Sequence, residues 1–472
     1  MKILFVNPPS YNVTGHSGTN SPVLGVLYLA TVLDQAGYPV RVLDADRLEM
    51  PWEELKNRLI WERPDVIGLT STTLGMDVLY KTAVVCREAA PESIIIAGGH
   101  GPTLEPEKTL KDCPAIDLLG LGEGENMIVK LMKCLEAKGD LADIKGIAYR
   151  PDKVSIKING LEEAVKDLDS LPMINYDLME PAFNHFSGVH GEWEGIELPN
   201  AVIMGSRGCP HRCIFCCNAN NVPRFRSAKS IVDEIEMCKK KFNIKSVQLY
   251  DNEFIGMTPA QNKWVLEICD EIIKRGLNDL GFICQGRCSR FVELDVLKKM
   301  YEAGFRWIWW GVESGSQKIL DRIQKDLKLE DITNTFATTK KSGIKSLMFI
   351  MTGFPDENKD DFRATCRMIE KVKPDRLRVH VATPLPGSKL WDELAANNQI
   401  ESFDYSQFDT RSAAVHHTNT ASSKEIKARF QYLLFRYEFD RSYVIKYLLK
   451  SIWTFGGIKR ILNKYKSLRN NT

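Results

Sequence analysis

Nowhere is this 472-residue chain apolar for the roughly 20 consecutive residues that a membrane-spanning helix needs; the longest apolar run, Leu24 to Leu33, falls well short. The opening MKILFVNPPS has neither a long apolar region nor a small-residue cleavage site and is not expected to act as a secretory leader. These absences point to the cytoplasm, where the 12 cysteines are expected as thiols or metal ligands and not as disulfides. Excess charge is also absent. With 63 Lys and Arg against 61 Asp and Glu, no global field draws the chain to nucleic acid. What remains is 44% hydrophobic and 26% charged, which excludes wholesale disorder and suffices for two or three domains.

Over residues 1–140, short β-branched runs alternate with helical stretches. KILFVN, VRVLDA, DVIGLTS, SIIIAGG and AIDLLGLG read as strands, with helices near 24–35, 52–60, 76–89 and 125–137 between them. Strands apolar on both faces predict a five-stranded, doubly wound parallel sheet. In such sheets a ligand sits beyond the carboxyl ends of the strands, where the strand order reverses. The segments expected there are small and polar: Asn7 to Ser10, Thr70-Ser71-Thr72-Thr73, Gly98-Gly99-His100-Gly101 and Gly122-Glu123-Gly124-Glu125. They suit close approach to a large ligand, and they also suit ordinary strand-to-helix turns. The loop from Ser10 to Pro22 is long for such a connection. His16 and His100 are candidate metal ligands or plain hydrogen-bonding residues. Residues 141–197 lose the alternation; IAYR and VSIKI flank Pro151-Asp152-Lys153 as a hairpin, and the stretch to Pro181 reads as a linker between domains.

The strongest signal is GCPHRCIFCC, which places Cys209, Cys213 and Cys216 at C-x3-C-x2-C after the strand-like run AVIMGS. Three thiolates on one loop can bind three irons of a 4Fe–4S cube and leave the fourth open. A structural zinc site would want a fourth Cys or His at matching spacing, and no second pair follows. Cys284 and Cys288 lack a third partner and read as buried thiols.

This loop, with Phe215 before its third cysteine, resembles the radical S-adenosylmethionine (SAM) superfamily. The resemblance continues through YDNEF (250–254), GFICQGR ending at Arg287, WIWWGVESGS with Glu313 and Ser314, MFIMTGFPDE with Gly353, and TPLPGS (383–388). It implies a partial (β/α)6 barrel over 198–395. It also implies an open iron that chelates SAM, and SAM contacts from Phe215, Asp251, Glu253, Arg287, Glu313, Ser314 and Gly353. Taken singly, Asp251 and Glu253 are equally suited to capping, Glu313 to an ion pair and Gly353 to a turn.

A doubly wound domain ahead of such a barrel is similar to the cobalamin-binding subgroup of radical SAM enzymes. That similarity implies cobalamin contacts from Ser10, Thr70, Ser71, Thr72, Gly98, Gly99, His100, Gly122, Glu123 and Gly124. The D-x-H-x-x-G motif, whose histidine ligates cobalt in several cobalamin proteins, is absent: His16 is followed by Ser-Gly-Thr and His100 by Gly-Pro-Thr. No histidine ligand to cobalt is therefore expected. The implied chemistry is removal of a hydrogen atom from an unactivated substrate carbon, then methyl transfer from methylcobalamin, with an external one-electron reductant of flavodoxin or ferredoxin type. A methylated-cysteine carrier is disfavoured, because no cysteine follows Cys366. Alternatives are a radical cyclase, rearrangement or C–C coupling enzyme of the same architecture, and a non-catalytic iron–sulfur protein.

The substrate stays open: a small molecule, lipid-like or not, against barrel residues such as Trp307, Trp309, Trp310 and Met348, which are equally suited to the core. Residues 396–472 are expected to be helical. From Arg441 onward they carry eight Lys or Arg and no acid, with Ile458, Ile461, Leu462, Tyr465 and Leu468 at helical spacing. Such a basic amphipathic tail fits either packing on the barrel or peripheral contact with the inner membrane face; nucleic acid is the least expected partner.

Overall fold

Uninterrupted β-branched runs of four to nine residues, each followed by an amphipathic helix, can hide both faces of a strand only inside layered α/β structure. The computed structural model describes residues 1–10, 21–152, 155–183, 193–219, 221–411 and 414–438. His16 and the basic tail from Arg441 lie outside the described residues.

The first sheet is built from β1 (Ile3–Asn7), β2 (Val40–Asp44), β3 (Val66–Thr70), β4 (Ile94–Gly98) and β5 (Leu118–Gly120), all parallel in the order β5-β4-β3-β1-β2. The five expected strands are present and the order reverses between β1 and β3. The sheet is wider than expected. β6 (Ile147–Tyr149) and β7 (Lys157–Ile158) form the expected hairpin, but it joins the sheet antiparallel to β5, and β8 (Met179–Glu180) joins beside β2. The segment read as a linker thus supplies edge strands and closes both margins of the sheet.

The second sheet is β9 (Asn200–Ile203), β12 (Ser246–Leu249), β13 (Gly281–Arg287), β14 (Phe305–Glu313), β15 (Lys345–Thr352) and β16 (Arg376–Val381). These six parallel strands pair in sequence order, which is the expected partial barrel. Between β9 and β12 a short antiparallel pair, β10 (Ser206–Arg207) with β11 (Arg224–Phe225), brackets the cysteine loop. Outer helices begin where their sequences supply caps: Ser227 before Ala228–Phe242, Thr258 before Pro259–Lys274, and a capping box at Asn358 before Lys359–Val372. The helix Ser423–Leu433, capped by Ser422, buries Ile426, Phe430 and Leu433.

The two halves share one hydrophobic core, which runs from Ile3, Leu27 and Leu131 to Ile203, Val232 and Phe254. Phe183 from the connecting segment stacks on Phe242 of the barrel, Tyr176 meets both rings edge to face, and the Tyr176 hydroxyl donates to Glu234 at 3.2 Å. Among the described residues no helix is long and apolar enough to cross a membrane.

Candidate cofactor and active site

Because β1 to β5 run parallel, the turns after β1, β3, β4 and β5 all lie at the carboxyl edge of the first sheet. They are cross-tied: Ser71 N–H donates to Gly98 O at 3.1 Å, Gly101 N–H to Ser71 O at 3.1 Å, and Gly122 N–H to the Thr103 hydroxyl at 3.1 Å. Gly99 sits at φ +93°, and a Cβ there would lie 2.5 Å from Ser71 O, so no other residue fits this turn. The turns border a cavity of about 2,870 Å³, several times the roughly 300–1,000 Å³ of an ordinary ligand site.

Ser10, Thr70, Ser71, Thr72, Gly98, Gly99, His100, Gly122, Glu123 and Gly124 all line it. So do Ser206, Arg207, Gly208, Asp251, Gln285, Trp309 and Phe349 of the barrel. One space therefore separates the two halves. His100 faces it, and desolvation by the surrounding protein lowers its pKa. Glu123 reaches the wall but is held across the domain boundary: Arg224 grips both of its oxygens, and Arg207 lies 3.2 Å from Oε2 and 2.6 Å from Glu125 Oε1.

The cysteine loop stands at the barrel mouth. Cys213 is buried, and Cys209 and Cys216 are half-buried. Ile214 anchors the loop, donating its N–H to Ile323 O at 3.1 Å and accepting from Leu390 N–H at 2.8 Å. Burial, then Glu253, push the Cys209 thiol up to about 12, so metal must displace its proton. Among the described residues no three acidic, Cys or His side chains already share metal-ligating geometry. The thiols are brought to one loop, and closing them into ligation needs the positive charge of iron to offset their mutual repulsion.

Around the loop lies a ring of buried charge. Arg287, at the end of β13, is 3% exposed, with Glu253 at 3.7 Å; Glu253 in turn is 3.1 Å from His211 Nε2. Arg287 Nη1 and Nη2 and Asp251 Oδ2 are buried without hydrogen-bond partners, and His211 Nε2 and Glu253 Oε2 face each other without hydrogen-bond geometry. Orphaned donors and acceptors side by side are costly unless a ligand completes them. They fit one that bears both an ammonium and a carboxylate group, as SAM does, and three adjacent thiols fit an iron–sulfur cube.

Glu313 ends β14 at φ +70°, a strained backbone held by the buried Lys325 ammonium at 2.9 Å. Lys325 also lies 5.9 Å from the Phe215 ring, which in turn is 5.8 Å from Phe354 beside Gly353. Phe215, Glu313 and Gly353 are thus brought to one neighbourhood. The Ser314 hydroxyl is engaged elsewhere, accepting from Ser316 N–H at 3.1 Å and pairing with Thr365 at 3.3 Å. Gly353 stays left-handed at φ +94°, its N–H donating to Glu357 at 2.7 Å and its carbonyl paired with His416 Nε2 at 2.9 Å.

Sequence reasoning missed several residues here. His211 lay inside the cysteine motif and Arg207 beside it, so position alone could have flagged both. Lys325 sits in the polar run Gln324-Lys325-Asp326, which reads as surface. Of the four barrel candidates, Trp309 lines the cavity, Trp307 is buried in a cluster with Trp193, Ile283 and Leu347, and Trp310 and Met348 are core. Cys284 and Cys288 are fully buried, as expected.

Comparison with known proteins fits both halves. The radical SAM superfamily model matches residues 203–369 and the B12 binding domain model residues 12–132, together more than half of the chain. An uncharacterised methyltransferase of Pyrococcus horikoshii is 28% identical over 87% of this chain and 86% of its own length. The anaerobic magnesium-protoporphyrin IX monomethyl ester cyclase of Rubrivivax gelatinosus is 27% identical over 87% of this chain and 72% of its own. In fold, the chain is similar to the radical SAM methyltransferase TsrM of Kitasatospora setae, with a TM-score of 0.71, 18% identity, and coverage of 91% of this chain and 82% of that one. With a corrinoid-type domain and a radical-type barrel opening on one cavity, the chain belongs to the radical SAM superfamily, in the branch that carries an amino-terminal B12 binding domain.

Proposed function

We propose that the chain is a cobalamin-dependent radical SAM methyltransferase that places a methyl group on an unactivated carbon of a small-molecule substrate. One observation carries this: a single cavity is walled on one side by the turns of the B12 binding domain and on the other by the barrel mouth beside the cysteine loop. When bound, the cluster and SAM supply a hydrogen-abstracting radical and the corrinoid supplies the methyl group. A carbon without a lone pair needs both.

The chain's own residues do the rest. Cys209, Cys213 and Cys216 would hold three irons. Arg287, Glu253 and Asp251 are available to the charged ends of SAM, and Phe215 with Gly353 bounds the same neighbourhood. The turns from Ser10 to Gly124 would hold the corrinoid across the cavity, where it would help to keep water from reactive species. On this reading residues 1–140 are the corrinoid domain, 141–197 the connection and 198–395 the barrel, with the described residues 396–438 following it.

The test is anaerobic reconstitution with iron, sulfide and cobalamin under a one-electron reductant. The expected results are 5′-deoxyadenosine and a product heavier by one CH2, deuterated when the SAM methyl is. The cyclase relative favours a second reading, radical ring formation, which gives 5′-deoxyadenosine without that mass gain. Membrane contact through residues 457–472 is proposed from the sequence alone; deletion of that segment should abolish binding to anionic liposomes.

A further inference from the structure

β15 runs directly into the turn 353–357, which brings Gly353 into the neighbourhood of Phe215. Gly353 at φ +94° and Asp356 at φ +64° are both left-handed, so the turn depends on outside support to keep its shape. That support comes from a segment well past the last barrel strand. His416 Nε2 pairs with Gly353 O at 2.9 Å. Asn419 accepts the Asp356 N–H at 3.0 Å and donates to its carboxylate at 2.5 Å, and the Thr420 hydroxyl donates to Glu357 O at 2.8 Å. From the helix Ser423–Leu433, Arg429 donates to the same Glu357 O at 2.9 Å and lies 3.6 Å from the Glu357 carboxylate. That carboxylate in turn accepts the Gly353 N–H at 2.7 Å and the Thr352 hydroxyl at 2.9 Å. Ile426 of the same helix covers the glycine itself, since a Cβ at 353 would lie 2.7 Å from its Cγ2.

The bracing is buried throughout: His416 is 0% exposed, Glu357 1% and Arg429 9%. A carbonyl only accepts, so His416 Nε2 carries the proton of its pair with Gly353. Nδ1 has no partner and burial lowers the pKa of the ring, so the side chain serves here as a single N–H donor. Toward the barrel mouth the turn presents Phe354, fully buried, 5.8 Å from the Phe215 ring of the cysteine motif. Asp356 is also held by Arg322 at 2.8 Å, one residue before Ile323, whose carbonyl anchors Ile214. Support applied from residues 416–429 therefore reaches the cysteine loop through one turn.

We infer that His416 and Arg429 are positioning residues of the SAM site: they hold the turn 353–357 in the one backbone conformation that, together with Phe215, borders bound SAM. The inference rests on the function proposed above and deepens it, because a segment beyond the barrel strands then belongs to the SAM site by acting through the turn. A turn free to leave that conformation is competent for SAM only part of the time, and the apparent Kd rises by the inverse of the competent fraction.

The test is equilibrium dialysis of SAM against the anaerobically reconstituted holoenzyme without reductant, with iron content and hydroxocobalamin binding measured on the same samples. His416→Leu leaves Gly353 O buried and unpaired, so the SAM Kd should rise at least ~10-fold, equivalent to about 1.4 kcal/mol, while iron content and the cobalamin Kd stay as in wild type. His416→Gln carries an amide donor in place of Nε2 and should recover most of the lost affinity. Arg429→Gln should also raise the SAM Kd. A merely structural role would lower the melting temperature and the yield of loaded protein but leave the Kd of that protein unchanged; an unchanged SAM Kd in His416→Leu overturns the inference. Should the leucine variant fail to fold or lose its iron, wild type decides. SAM should slow amide exchange at Gly353, at Glu357 and across 416–429 together, and protection that stops at the cysteine loop overturns the inference. Wild type that carries the cluster but binds no SAM refutes the radical SAM reading and the inference with it, whereas SAM binding indifferent to His416 refutes the inference alone.

Discussion

Asp251 illustrates how single residues at this site trade stability for function. Burial raises its pKa to about 6, although Ser206 donates its hydroxyl at 2.5 Å and nearby backbone N–H groups help to hold the charge down. The native state thus holds the proton more tightly than the unfolded chain. The stability contributed by that proton is complete below about pH 4 and is lost as the pH rises through about 6. Asp251→Asn keeps an acceptor for Ser206 and never ionises. In the ligand-free protein it should be more stable than wild type by about 2–3 kcal/mol above pH 7, with the gap closing below pH 4. Melting curves for the two proteins that stay parallel across this range would sink the argument. Lys325 makes the opposite case. Burial works against its charge, but Glu313 and then Cys213 outweigh burial and hold it protonated. Lys325→Met leaves the Glu313 carboxylate buried and unpaired, a loss of about 3–5 kcal/mol. Adding Glu313→Gln should recover much of that loss in urea unfolding, because the stranded charge is gone.

At the scale of elements, the Gly122–Glu125 turn and the β10–β11 pair are fastened to each other. Arg224 clasps Glu123 and also donates to Val165 O, and Arg207 reaches Glu125 while its guanidinium lies 5.2 Å from the Tyr28 ring. The clamp joins a turn on the corrinoid side to the residue two before Cys209. Arg224→Gln breaks the bidentate half of it, and both segments should then open more readily. Amide hydrogen exchange should quicken at Gly122–Gly124 and at Gly208 by roughly tenfold, equivalent to about 1.4 kcal/mol. Exchange confined to one of the two segments would mean that they are not coupled. These elements also show what a sequence can reveal. β1, β3 and β4 are legible because a strand buried on both faces is one largely apolar run. β7 and β8 have two residues each and no period to read, so the width of the first sheet was hidden. The cysteine spacing exposes the metal loop because the ligands come from one segment. Lys325 does not reveal itself, since a buried cation and a surface cation are spelled alike and only packing tells them apart.

For the whole molecule, the shared cavity and the shared core make the two halves one thermodynamic object. A ligand held on both walls adds its binding free energy to the native state, about 2.7 kcal/mol at one hundred times its Kd. Because the corrinoid site is bounded by the first sheet and the barrel alike, cobalamin should delay unfolding of both halves together. The C-terminal segment adds a further tie: Tyr405 lines the cavity and hydrogen-bonds Glu105 of the first half. Saturating hydroxocobalamin is therefore expected to raise the melting temperature by several degrees in one merged transition, followed by hydrogen exchange in β4 and in β15. Arg224→Gln should shrink the shift in both reporters equally. If the corrinoid protects β4 alone, it binds the first sheet without reaching the barrel, and the cavity is then not a shared reaction chamber but two adjoining spaces.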